Sequence, residues 1–263
     1  MSSTATVRTI SAVPRAKSGA AQTRKHNEVA RCPTTCSTCN LRELCLPCGL
    51  TGSDASRADE LVYARRCIMR GETLCCAGDR FVSLFAVRSG FFKSSMLLED
   101  GRDQVTAFHM PGEMLGMDGI GQNSHTCSLT ALEDSEVCVI PYARLEELSQ
   151  QMPQLAHQFH KVMSREIVRD QGVMMLLGSM RADERLATFL LNLSQRFFAR
   201  GYSATEFNLR MTREEIGSFL GIQLETVSRI FSKFQEDGLI SVQQKYIHIP
   251  DSESLKRVLA RLQ

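Results

Sequence analysis

Four cysteines fall within thirteen residues, at Cys36, Cys39, Cys45 and Cys48, and a fifth, Cys32, stands just ahead of them. Thiolates at such short spacing can converge on one soft centre, which means zinc, an iron–sulfur cluster or a redox disulfide. As a Cys-x2-Cys-x5-Cys-x2-Cys set, Cys36, Cys39, Cys45 and Cys48 could hold zinc locally, although the central gap is short for a zinc ribbon. Of the ten cysteines in the chain, Cys67, Cys75, Cys76 and Cys127 lie in a strand-rich stretch and are expected to act as small buried apolar groups.

A second constellation lies near the other end, from Met211 to Phe234. Thr212 can cap a helix, with Glu215 reaching back to complete a capping box. Gly217 is small where a second helix must approach, and Gly221 supplies the tight turn between the two. Ile216, Phe219 and Leu220 give the first helix a buried face; Ile222, Val227 and Ile230 anchor the second. That order is the mechanical requirement of a helix-turn-helix, and a small hairpin over Leu239–Ile249 would form its wing. The outward face of the second helix carries Glu225, Ser228, Arg229 and Lys233. Arg229 can pair bidentately with guanine, Glu225 can accept from cytosine N4, and Ser228 can bond a base or a phosphate. Arg213 and Lys233 are better placed for backbone phosphates. The plain alternative for Glu225 and Arg229, four residues apart, is a surface ion pair.

The rest of the chain must position these two constellations. Its 263 residues, 43% hydrophobic and 23% charged, suit one or two globular domains with real cores. A net charge of +2 does not by itself announce a nucleic-acid binder. No apolar run is long enough to span a membrane, and residues 1–31 read as a disordered basic arm without the apolar core of a secretory signal. Reduced cytoplasmic thiols, available as metal or redox ligands, follow as the expectation. Between Leu61 and Ile140, glycines at 71, 78, 90, 101 and 112 punctuate short apolar runs, the pattern of a β-sandwich or jelly roll. From Pro153 to Gly178, Phe159, Met163, Ile167, Asp170, Met174 and Leu177 recur at helical spacing and form one stripe. The stripe suits a dimer coiled coil, with packing on its own domain as the alternative. Asp170 on that seam would face its own copy, and like charges in a poorly solvated seam make association marginal. Alternatively Asp170 points to solvent at the stripe's edge.

Arm, glycine-punctuated β domain, long helix and winged helix-turn-helix together resemble the CRP/FNR family of bacterial transcription regulators, and within it the FNR-type, Anr-like oxygen regulators. The resemblance runs from Cys32 to Ile249 and rests on Cys36-x2-Cys39-x5-Cys45-x-Pro47, Arg88-Ser-Gly90, Val137-Cys-x-Ile-Pro141 and Leu224-Glu-Thr-Val-Ser-Arg229. It implies an α+β chain: an N-terminal β jelly-roll sensor domain resembling cyclic-nucleotide-binding domains, a long dimerisation helix and a C-terminal winged helix-turn-helix. The corresponding divisions are 1–31, the cysteine arm 32–50, the β-roll 51–141, the dimerisation region 142–180 and the DNA-binding domain 181–263. It further implies an oxygen-labile [4Fe–4S] cluster on Cys36, Cys39, Cys45 and Cys138, and a homodimer switched around Ile167 and Asp170. Glu225, Ser228 and Arg229 would read a palindrome of TTGAT-like half-sites in double-stranded DNA. Contacts to RNA polymerase would lie near Ser89 and the Asp100-Gly101-Arg102 loop.

The cyclic-nucleotide branch of the family uses a Gly-Glu loop and a later Arg-Ser pair. Gly112-Glu113 is present, but Ser124-His-Thr-Cys-Ser128 has no arginine, so a cyclic phosphate would lack its charge partner. For the cysteines, Cys48 stays the rival to Cys138: a centre on Cys48 folds the arm alone, whereas one on Cys138 ties the arm to the β domain beside the long helix. Cys32, Cys36 and Cys39 also match the spacing of radical SAM enzymes. Those usually carry an aromatic where this chain has Thr38, and their barrels need repeated βα units. The chain is therefore expected not to be an enzyme.

Overall fold

The structure, a computed structural model, describes residues 35–259. The basic arm over 1–31 and Cys32 lie outside the described residues. The cysteine arm winds through successive turns into α1 (Gly52–Arg57) and a 3-10 turn (Ala58–Leu61), both within a stretch read from sequence as the start of the β domain. Eight strands follow: β1 (Ala64–Ile68), β2 (Thr73–Cys75), β3 (Ser83–Ser89), β4 (Phe92–Leu97), β5 (Asp103–His109), β6 (Met114–Leu115), β7 (Ser128–Ala131) and β8 (Ser135–Pro141). They form two antiparallel sheets, ordered β1-β8-β3-β6 and β2-β7-β4-β5. Ile68, Phe85, Val87 and Val137 from the first sheet meet Leu74, Phe92, Leu129 and Ala131 from the second in one core, which makes the expected roll. Gly90 turns β3 into β4 at φ 83, so close to Ser135 that a Cβ would lie 2.0 Å from its Oγ; only glycine fits there.

The first sheet is covered on its outer face as well. Leu84, Ala86, Cys138 and Ile140 alternate with the inward residues along β3 and β8, as the two-residue period of a strand requires. Against them pack Leu46, Leu50 and Leu61 of the arm region. So do α2 (Tyr142–Gln151), through Leu145 and Leu148, and α3 (Pro153–Ser179), through Leu155, Phe159 and Val162. The sequence reading starts the long helix at Pro153, as α3 does, but assigned no helix to 142–151; Met152, at ψ 87 before Pro153, separates α2 from α3. Only the N-terminal half of the α3 stripe is buried: Ile167, Val168, Met174 and Met175 are 58–68% exposed, and Asp170 is exposed among them.

The C-terminal region comprises α4 (Ala182–Phe198), β9 (Glu206–Asn208), α5 (Arg213–Leu220), α6 (Leu224–Glu236), β10 (Ser241–Gln243), β11 (Tyr246–His248) and α7 (Ser252–Lys256). The wing is a three-stranded sheet, β10-β11-β9, rather than a bare hairpin; β9, one apolar residue between two exposed ones, carries too little pattern to be read alone. Phe189, Leu190, Ile216, Val227 and Phe231 share one core, which continues into Phe91, Val105 and Phe108 of the β-roll. Among the remaining cysteines, Cys75 is buried as expected, but Cys76 and Cys127 are only half-buried and Cys67, opposite Glu136 on the edge strand β1, is exposed.

Candidate cysteine centre and nucleic-acid interface

The arm is built from tight turns, with Cys39 N–H donating to the Cys36 carbonyl (3.2 Å), Cys45 N–H to Leu41 (3.0 Å) and Cys48 N–H to Cys45 (3.1 Å). Asp59 pins it from the 3-10 turn, accepting from the Ser37 N–H and hydroxyl at 2.8 Å each. Leu46 and Leu50, 1% and 0% exposed, sink between the arm and the first sheet. The turns leave an apolar cavity between arm and sheet, and Cys36, Cys39, Cys45 and Cys138 all line it. Cys138 reaches it because β8 directs alternate side chains outward, opposite Ala86 and Arg65. Cys48 is not among the lining residues; its thiol lies 3.8 Å from a Glu43 carboxylate oxygen.

Burial dominates the chemistry of these thiols. It pushes Cys36 and Cys45 up to about 12, with the neighbouring cysteines adding to the effect. Burial also raises Cys138, but Arg88 and Arg65 oppose it. Arg88 stands 3.7 Å from the Cys39 sulfur and 3.0 Å from Glu136. Four thiols in an apolar, water-poor cavity with guanidinium groups at its edge form a donor set that suits a soft, thiolate-bound centre. As the side chains stand, no group of three or more His, Cys, Asp or Glu among the described residues could hold a single metal ion. Sequence reasoning did not single out Arg65, Glu136 or the cavity role of Arg88, because only strand register brings them to Cys138.

At the other end, Thr212 caps α5 as expected: its Oγ1 accepts from Glu215 N–H (3.1 Å), and Glu215 Oε2 accepts from Thr212 N–H (2.7 Å). Gly221 ends α5 at φ 64. A Cβ at Gly217 would lie 2.6 Å from the Ile222 carbonyl oxygen, so the two helices approach as closely as the sequence pattern demanded. Val227, Ile230, Phe231 and Phe234 bury the inner face of α6. Glu225, Arg229 and Lys233 are exposed on the outer face and Ser228 is half-buried beside them. Among the described residues neither Glu225 nor Arg229 has an ion-pair partner, so both are free to meet a ligand. Arg213 is placed differently from the others: half-buried, its guanidinium packs 4.7 Å from the centre of the Phe231 ring. Ser89, Gly101 and Arg102 are exposed, with Arg102 paired to Asp100 at 2.6 Å.

Comparison with known proteins agrees with this architecture. The Crp-like helix-turn-helix domain family matches residues 184–258 and the cyclic nucleotide-binding domain family matches residues 65–152. The chain is 50% identical over 220 residues to the transcriptional activator protein anr of Pseudomonas aeruginosa, covering 84% of this chain and 90% of that protein. It is 43% identical to the fumarate and nitrate reduction regulatory protein of Salmonella typhimurium over 224 residues, 85% of this chain and 90% of the relative. In structure it resembles FixK2 from Bradyrhizobium japonicum with a TM-score of 0.68, at 29% identity, over 73% of this chain and 95% of that one.

Proposed function

Because the chain belongs to the CRP/FNR family of transcription regulators, with a DNA-binding helix-turn-helix and no enzymatic role, we propose that it is an oxygen-responsive regulator of the anaerobic response. In this reading Cys36, Cys39, Cys45 and Cys138 hold a [4Fe–4S] cluster. The observation that carries it is the shared cavity: three arm cysteines and one strand cysteine line the same apolar space, and Cys48 does not. An all-thiolate donor set drawn from both the arm and a strand suits an iron–sulfur cluster. When bound, the cluster supplies an oxygen-labile crosslink between arm and sheet. The chain's own part is to exclude water with Leu46 and Leu61 and to balance thiolate charge with Arg88 and Arg65.

The divisions proposed for this machine are the arm 32–50, the β-roll 51–141, the dimerisation region 142–180 and the DNA-binding domain 181–263. A second copy would cover the exposed Ile167, Val168, Met174 and Met175 of α3, with Asp170 keeping the seam near balance. Glu225, Ser228 and Arg229 would read base edges of a TTGAT-like palindrome in the major groove, with Lys233 and Arg213 serving backbone phosphates. RNA polymerase would meet the exposed surfaces at Ser89, Gly101 and Arg102. Glu113, enclosed by arginines of its own chain, supports a regulator that takes no cyclic nucleotide. No described helix is long and apolar enough to cross a membrane, which accords with work on DNA in the cytoplasm.

The test is purification without oxygen, followed by a visible spectrum, iron and sulfide assays, and DNA affinity before and after air. Brown protein whose colour and affinity fade together is expected. Colourless protein with one zinc would sink the cluster reading and leave the DNA-binding domain standing. Cys138→Ser should lose cluster and anaerobic DNA binding while Cys48→Ser keeps both; the reverse pattern assigns the centre to the arm alone.

A further inference from the structure

The β5–β6 loop, Met110 to Glu113, stands between the cysteine cavity and the DNA-binding domain. On one side it is bonded to the cavity wall: Gly112 N–H donates to the Val87 carbonyl (2.8 Å) and Val87 N–H to the Glu113 carbonyl (2.9 Å), and Val87 and Arg88 line the cavity. The same loop touches the arm directly. Gly112, at φ 90, lies so near Leu44 that a Cβ would meet the Leu44 Cβ at 2.7 Å, and Leu44 immediately precedes Cys45.

On the other side the Glu113 carboxylate, 10% exposed, faces three guanidinium groups. Arg196 of α4 lies at 2.8 Å, Arg200 of the turn that follows α4 at 2.6 Å, and Arg169 of α3 at 3.4 Å. Arg196 also donates to the Phe108 carbonyl and Arg200 to the Pro111 carbonyl, each at 2.7 Å. The first helix of the DNA-binding domain and the turn after it therefore grip both the backbone and the side chain of a loop whose other face is the cysteine cavity. Burial alone would push the Glu113 carboxyl up, yet the three arginines hold it down at about 2. The carboxylate stays charged, and removing it would leave buried arginines uncompensated.

We propose that Glu113 is a positioning residue that relays the state of the cysteine arm to the DNA-binding domain through Arg196 and Arg200. This inference rests on the sensor reading above for its input, not for its output. In the docked arrangement Glu225, Arg229 and Lys233 are exposed, and in this proposal the latched state is the one competent for DNA. Movement of the arm shifts Leu44 and Val87 against Gly112, which loosens the grip on α4 and frees the domain to reorient.

Glu113→Gln keeps the side-chain shape and removes the charge. The full chain, purified without oxygen, is compared with wild type for iron and sulfide content, for dimer fraction by sedimentation, and for affinity to a TTGAT-type palindrome before and after air. Unchanged iron and dimer are expected, with anaerobic DNA affinity about tenfold weaker, within the usual 5- to 150-fold span of coupling between sites. Arg200→Gln should match it, the double variant should be no worse than either single, and Glu113→Asp should restore most of the air response. Wild-type affinity in Glu113→Gln overturns the relay. So does loss of iron or dimer in step with DNA binding, which would make Glu113 a packing group. If Glu113→Gln does not fold, the same readouts on Arg200→Gln decide. A wild type without iron or without an air response refutes the sensor reading instead, while the double-variant comparison still reports on the relay.

Discussion

Replacing Gly217 by alanine tests the helix-turn-helix at its tightest point. In an isolated helix the change would stabilise by about 0.8–1.0 kcal/mol, because alanine is the better helix former. Here the new Cβ would lie 2.6 Å from the Ile222 carbonyl oxygen and 3.3 Å from Val227 Cγ2. The nearer atom is backbone and belongs to the turn, whose N–H bonds back to the Gly217 carbonyl at 3.0 Å. The clash is relieved only by moving α6 away from α5, and overpacking of this kind costs about 1–3 kcal/mol. Set against the propensity gain, the clash leaves a net loss of up to about 2 kcal/mol. For a domain of this size that lowers Tm by roughly 4–8 °C per kcal/mol. The displaced recognition helix should weaken specific DNA binding more than binding to random duplex. Thermal unfolding and fluorescence anisotropy on full-length protein measure both, with Glu214→Ala, an exposed position on the same helix, as the control. Unchanged Tm and specificity in Gly217→Ala would refute the claim that glycine is required by the helix–helix approach.

Arg229→Ala should cost about 1–3 kcal/mol of discrimination at one guanine; equal loss on specific and random DNA would make Arg229 a phosphate contact. Thr212→Ala removes the α5 cap and should cost about 1 kcal/mol in urea unfolding, with no change in iron content. Glu113, held at about 2 against an ordinary value near 4.5, contributes stability that is present above 4.5 and lost as pH falls toward 2. At about 1.4 kcal/mol per pH unit this is on the order of 3 kcal/mol. Wild type should thus lose more stability than Glu113→Gln between pH 5 and 2, and parallel pH profiles would count against the arginine cage. Asp170→Ala should raise the dimer fraction of air-exposed protein in sedimentation, since it removes like charge from the proposed seam; a monomer as complete as wild type would place Asp170 in solvent.

The sequence by itself determined most of what is local. Thr212, Glu215, Gly217 and Gly221 specify α5, its cap and its turn through spacing alone, because capping and left-handed turns depend on a few adjacent residues. The long α3 and the glycine-punctuated strands were legible for the same reason, their periods being properties of a continuous stretch. The short α2, the third wing strand and the helix preceding β1 were not, since each is short and held by packing rather than by pattern. Motif spacing could name Cys36, Cys39 and Cys45 and leave Cys48 and Cys138 as rivals. Only the tertiary structure, through the outward face of β8, brings Cys138 into the cavity and leaves Cys48 beside Glu43. The arginine cage around Glu113 likewise joins residues more than fifty positions apart. Contacts at that separation leave no periodic trace in a chain; they exist only once two sheets and two helices have fixed which faces meet.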